Sequence, residues 1–186
     1  RLRDNKIPTI SLDLGVHIHN IMSFLTGESP IEAVTSQGNF GTFKGVVDNS
    51  ISIVHYTNEI IANIWYSKVA LGHRNGLRVR VYGEVGSFEW YQSDPENLHF
   101  NDNQGNKLML DRSNINTIEA NYPRYSRFKV GHPSGFIEAF ANYYTDIAHA
   151  ILEESNDADE YLFDIDHIIE GLSLLEAMSH SSITRQ

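Results

Sequence analysis

The sequence predicts one α+β domain over residues 1–186, with an open, mainly antiparallel sheet and helices packed on one of its faces. Three observations carry that expectation. The middle of the chain is a run of short β-branched and aromatic segments joined by turn residues, as antiparallel neighbours are. Apolar residues recur at helical spacing near both ends. The composition, 41% hydrophobic and 20% charged over 186 residues, supports a sizeable core and argues against disorder.

The elements follow in order. Leu14, Ile18, Ile21, Met22 and Leu25 make one helical stripe, which Gly27 stops, and Asp13, His17 and Asn20 lie on the opposite face. Residues 51–56 and 60–71 read as strands separated by a turn at 57–59. Residues 77–82 alternate cleanly, which buries one face and leaves Arg78, Arg80 and Tyr82 on the other. Residues 83–86 turn the chain into a strand at 87–91, and 98–100 with 107–110 form a further hairpin. The polar stretch 112–134, with Pro123 and Pro133, is a loop long enough to suggest a functional role. Two helices close the chain. Residues 136–152 present Phe136, Phe140, Tyr143, Ile147 and Ile151, with Ser134 as N-cap. Residues 165–179 present Ile165, Ile168, Ile169, Leu172 and Leu175, with Asp164 as cap, and the acidic segment 153–160 is a solvated linker.

Composition excludes several classes. A net charge of −10 disfavours nucleic acid and anionic membrane as partners, because both need a basic face. With no Cys, the chain has no disulfide, thiolate nucleophile or Cys-built metal site, which fits a reducing, cytoplasmic setting. No apolar run approaches a membrane span, and the first residues carry no signal-peptide pattern. The chain opens Arg-Leu-Arg without Met and soon meets a motif with chemical potential, which reads as a piece of a longer protein.

That motif is Asp13-Leu-Gly-Val-His17. A carboxylate and an imidazole one helical turn apart are equipped to take a hydroxyl proton near neutral pH. In the first turn of a helix, His17 would feel the positive end of the dipole and favour its neutral form, while Asp13 would stabilise the imidazolium. The plainer alternative makes Asp13 an N-cap and His17 a surface residue. His17-Ile-His19 invites a metal reading, but on a helix these two side chains sit about 200° apart and cannot share an ion. No metal is therefore expected, and His19 reads as a partner contact or a surface residue.

Several segments together resemble the glucose–fructose oxidoreductase and inositol dehydrogenase family, Gfo/Idh/MocA. Asp13-Leu-Gly-Val-His17 followed by Phe24-Leu-Thr-Gly27 is similar to its Asp-x-Gly-x-His…Phe-Leu-x-Gly segment. Asn75-Gly-Leu-Arg-Val-Arg-Val-Tyr-Gly83 and Gly86-Ser-Phe-Glu-Trp90 resemble its sheet hairpin. Gly131-His-Pro-Ser-Gly-Phe-Ile-Glu-Ala-Phe-Ala-Asn142 resembles a segment of its sugar-dehydrogenase-like branch. The resemblance implies the family's C-terminal, dihydrodipicolinate-reductase-like domain. It places the NAD or NADP site on an N-terminal Rossmann domain, so no cofactor is expected on these residues. Neither a Gly-x-Gly-x-x-Gly turn between a strand and a helix nor the family's Glu-Lys-Pro motif is present; Lys6 is followed by Ile-Pro.

The resemblance further implies that His17 is the general base acting on a sugar or polyol hydroxyl and that Asp13 orients or charges it. His132 and Arg127, at the end of the long loop, are candidates for binding substrate hydroxyls, against a simpler reading in which His132-Pro133 positions a helix start. Asn75, in the polar turn with His73 and Arg74, is a weaker substrate candidate. Family members pair the open sheet face, so a homodimer is expected there, with Trp65 and Tyr66 on the pairing strand. The chain departs from the family at Ile7-Pro8-Thr9-Ile10-Ser11, where small residues are usual, and at Asn20, where many members carry Asp. These departures leave a non-catalytic binding or assembly module as the alternative.

Overall fold

The computed structural model describes residues 3–152 and 161–184, so the expected acidic linker lies outside the described residues. The architecture is α+β with antiparallel strands, and the strands form two sheets. The chain divides into two compact units, Arg1–Leu71 with Phe163–Gln186, and Gly72–Leu162.

The first unit holds a three-stranded sheet in the order β1 (Pro30–Gly38), β2 (Asn49–Tyr56), β3 (Ile61–Ser67). Burial alternates along β2 and β3: Ser50, Ser52, Val54 and Tyr56 face inward, as do Ala62, Ile64 and Tyr66. The register keeps each face together, with Ser52 opposite Ile64 and Val54 opposite Ala62. The strand β1 was not anticipated. It is an edge strand of mixed polarity, and the last helix covers its edge. The Thr35 N–H donates to Ser181 Oγ at 3.1 Å, and the Gln37 N–H donates to Ser182 Oγ at 2.9 Å.

Two helices lie on the inner face of this sheet. The first helical run starts near Pro8, whose carbonyl accepts the N–H groups of Ser11 and Leu12. It passes through a π-helical turn, Ser11–Gly15, into α1 (Val16–Thr26). Gly27 ends it as expected, at φ 66, with its N–H on the Ser23 carbonyl at 2.7 Å. The last helix of the unit (Ile165–Thr184) is capped by Asp164, whose carboxylate accepts the His167 N–H at 2.9 Å.

Leu14, Ile18 and Met22 of the first helix's expected stripe pack against the core, whereas the last helix buries a different row from the one expected. The last helix buries Gly171, Leu174, Leu175, Met178, Ser179 and Ser181, so of its expected stripe only Leu175 is in the core. The first helical run is deepest along Ser11, Gly15 and His19, spaced by one turn. The two rows interlock. A Cβ on Gly15 would stand 2.6 Å from a Leu175 methyl carbon, and one on Gly171 would stand 2.7 Å from the His19 ring. Close approach, rather than apolar count, selects the buried face. Around this seam Ile10, Val54, Tyr56, Ile64, Tyr66, Leu175 and other apolar residues form the core.

The second unit is a four-stranded meander, β4 (Arg78–Tyr82), β5 (Gly86–Tyr91), β6 (Asp94–Asp102) and β7 (Lys107–Leu110). The expected turns are present, closed by the Gly83 N–H on the Gly86 carbonyl and by Asp102 accepting from Gln104 and Asn106. A helix, α2 (Phe136–Ile151), follows the long loop, and with it in place the last helix of the chain is α3. The cap of α2 is Gly135, not Ser134: the Gly135 N–H donates to the Glu138 carboxylate at 2.8 Å, while the Ser134 N–H is drawn off to Glu96. The faces of α2 are reversed from expectation. Its buried residues are Asn142 and Asp146, and Phe136, Phe140, Tyr143 and Ile151 are exposed.

Gly15→Ala should destabilise the folded chain by about 1–3 kcal/mol, because Leu175 is fully buried and cannot yield. Gly27→Ala, which meets nothing but sits at positive φ, should cost about 1–2 kcal/mol. Chemical denaturation of both variants checks the pair.

Candidate active site

Asp13 lies in the π-helical turn and His17 in α1. π-turns inside helices are often found at functional sites. Because the helical run starts at Pro8, His17 sits well inside it rather than in its first turn, so the dipole argument for a neutral His17 does not hold. Burial of the Ser11–Gly15–His19 row turns His17 outward, and it is exposed. Asp13 is half-exposed and forms an ion pair with Lys68, at the end of β3. Among the described residues no hydrogen bond joins Asp13 to His17, and no side chain occupies the His17 ring. Lys6 is not in this neighbourhood chemically: its ammonium pairs with Glu176 and its carbonyl accepts from Ser179.

His19 is not a surface residue. It is 2% exposed and stacks on His167, with ring centroids 4.4 Å apart and planes 27° apart. His167 stacks in turn on Phe163, and its Nε2 lies 3.2 Å from Asn20 Oδ1. Asn20, noted as a family departure, thus has a structural role. Glu170 Oε2 approaches His19 Nε2 at 3.6 Å. Burial, and then the neighbouring His167, hold the His19 imidazole below its ordinary pKa, so it is neutral. The sequence cue to this cluster is the spacing of His167 and Glu170, three residues apart on one helical face.

In the second unit the long loop is folded around one guanidinium. Arg112 donates to the carbonyls of Tyr125, Phe128 and His132 and to the Glu96 carboxylate. That clamp fixes the backbone on both sides of Arg127. Arg127 is exposed and donates to Asn142 Oδ1 on α2. His132 is exposed, with Nδ1 3.2 Å from the Lys129 carbonyl. Arg124, which the sequence reading did not single out, pairs with Asp146 at 2.7 Å and lies over the rings of Tyr125 and Tyr161. The polar residues of α2 therefore turn inward to meet loop arginines. Asn75 is exposed in a turn at φ 45, a left-handed position that Asn tolerates. Arg78 and Arg80, expected on an open face, are exposed and both pair with Glu89 across the strand.

A family model described as the C-terminal alpha/beta domain of an oxidoreductase family matches residues 2–186. The uncharacterized oxidoreductase YfiI of Bacillus subtilis is 27% identical over 171 residues, covering 88% of this chain and 43% of the relative. The crystal structure of an oxidoreductase from Sinorhizobium meliloti matches with a TM-score of 0.80 at 30% identity, over 94% of this chain and 50% of that one. An inositol dehydrogenase homolog from Azotobacter vinelandii, complexed with NADH and myo-inositol, matches with a TM-score of 0.77 at 23% identity, over 92% and 47%. That last likeness speaks to the fold. The chain spans about half the length of these relatives.

Arg124→Met should destabilise the protein by about 3 kcal/mol, since it strands the buried Asp146 carboxylate. Adding Asp146→Asn should recover part of that loss, and denaturant titration of the single and double variants measures it.

Proposed function

The chain belongs to the Gfo/Idh/MocA oxidoreductase family, and we propose that it is the substrate-binding C-terminal part of an NAD(P)-dependent sugar or polyol oxidoreductase, with His17 as general base. The family match over residues 2–186 supports the reaction class. The observation that carries the role of His17 is its outward, unoccupied imidazole beside a π-helical turn. Such a ring is free to take a hydroxyl proton from a substrate.

All described strand pairs are antiparallel, whereas a dinucleotide crevice needs parallel strands joined through a helix. The described residues form no such crevice, and the proposal places the cofactor elsewhere in the full-length protein. There it supplies the two-electron acceptor. Within this chain, His17 removes the proton, and Asp13, one turn away, stabilises the imidazolium that results. Lys68, paired with Asp13, offsets part of that effect. His132, Arg127 and Asn75 are proposed to contact substrate hydroxyls, held in place by the Arg112 clamp and the turn at Asn75. These 186 residues alone are expected to be inactive.

A homodimer through the first unit's open sheet face is proposed with it. That face carries Val34, Ile51, Ile53, Ile61 and Trp65, all exposed, with Trp65 at 58%. Tyr66 is not part of it, because it points into the core.

In the full-length enzyme, His17→Ala should lower kcat by about 10²–10⁴-fold with little change in the nicotinamide KM. An unchanged kcat would favour the non-catalytic assembly module. Trp65→Arg should convert a dimer to a monomer in light scattering, and a monomeric wild type would remove the dimer proposal.

A further inference from the structure

We propose that His19, His167 and Glu170 bind one divalent transition-metal ion of the zinc class, joining α1 to α3 on the side turned away from His17. One donor atom from each residue lies within 4.8 Å of the others. His19 Nε2 and Glu170 Oε2, 3.6 Å apart, already approach the ~3.3 Å edge of a tetrahedron with bonds of about 2.0–2.1 Å. Two imidazoles and a carboxylate are a donor set that suits zinc, and three protein ligands leave a fourth position for water.

The second observation is polar atoms left without partners. Both ring nitrogens of His19 are buried without a hydrogen bond, although native proteins pair nearly all such groups. The Tyr56 hydroxyl is buried and equally unpaired, and burial together with the nearby Glu170 charge pushes it up to about 12. A metal takes one of the two His19 nitrogens.

His167 is prepared in its tautomer. Asn20 Oδ1 can only accept, so His167 Nε2 carries the proton and donates it at 3.2 Å, which leaves a lone pair on Nδ1. A ligating histidine commonly holds its other N–H in this way. The Nδ1 atom lies 3.4 Å from the Ser23 hydroxyl, a contact loose enough to exchange for a stronger ligand. Because the two rings stack, coordination requires them to turn until both lone pairs meet at one point.

The test uses untagged full-length protein, freed of metal with a chelator and titrated with Co(II) and then Zn(II). One equivalent of Co(II) should give visible ligand-field bands, which Zn(II) bleaches. His167→Asn and Glu170→Gln should each abolish the bands while the protein stays folded by circular dichroism, and His17→Ala should keep them. Asn20→Ala should weaken binding by about 10–100-fold. In the wild type, Zn(II) should shift the imidazole resonances of His19 and His167 and leave those of His17 in place. The proposal is overturned by an absence of bands at equimolar Co(II), by their survival in folded His167→Asn or Glu170→Gln, or by Zn(II)-induced shifts confined to other histidines.

Discussion

Two glycines and two large side chains, traded between helices, set the geometry of the first unit. Leu175 fills the space over Gly15, and His19 fills the space over Gly171. Each glycine is the hole for the other helix's knob, so neither helix can rotate without a clash. The lock also decides what faces outward. His17 stands two residues from both Gly15 and His19, which on a helix is about 200° of rotation away. Burying the Gly15–His19 row therefore delivers the imidazole of His17 to the surface. The proposed catalytic group owes its exposure to packing on the opposite side of its own helix.

The same seam explains which parts of the fold were legible. Strands β2 and β3 alternate because their inner face is buried, and that alternation is local. Asp164 and Gly27 act as helix ends through contacts within a few residues, so they too could be read directly. The buried stripe of α3 could not. Reading apolar residues at helical spacing picks out Ile165, Ile168, Ile169 and Leu172, yet α3 turns Gly171, Leu174, Leu175, Met178 and Ser181 inward. Small and polar residues mark the close approach, and hydrophobicity discounts them. The edge strand β1 was hidden for a related reason. Its Thr35 and Gln37 N–H groups, on the edge away from β2, are satisfied by serines of a distant helix that no local pattern reveals.

For the candidate site, local spacing again carried as far as local physics does. Asp13 and His17 are correctly one turn apart. The positive end of the helix lies away from His17 because the helix begins near Pro8, ahead of the residues that look apolar and periodic. The partner of Asp13 is Lys68 on a strand end, and the partners of His19 lie on α3. No spacing rule reaches across such separations. The loop around Arg112 is a similar case: one side chain organises three carbonyls that the sequence presents as unrelated positions.

The reversal of α2 has a consequence for how the molecule behaves in bulk. Its arginine-bound polar row points inward, so Phe136, Ile137, Phe140, Tyr143 and Tyr144 meet water as a sticky aromatic ledge. At neutral pH a net charge of −10 sets a long-range repulsion that any pairing of copies has to overcome. Near the isoelectric point of about 5.3 that repulsion vanishes, while the ledge remains. Mildly acidic or high-salt buffers therefore weaken that repulsion and leave the exposed ledge unchanged.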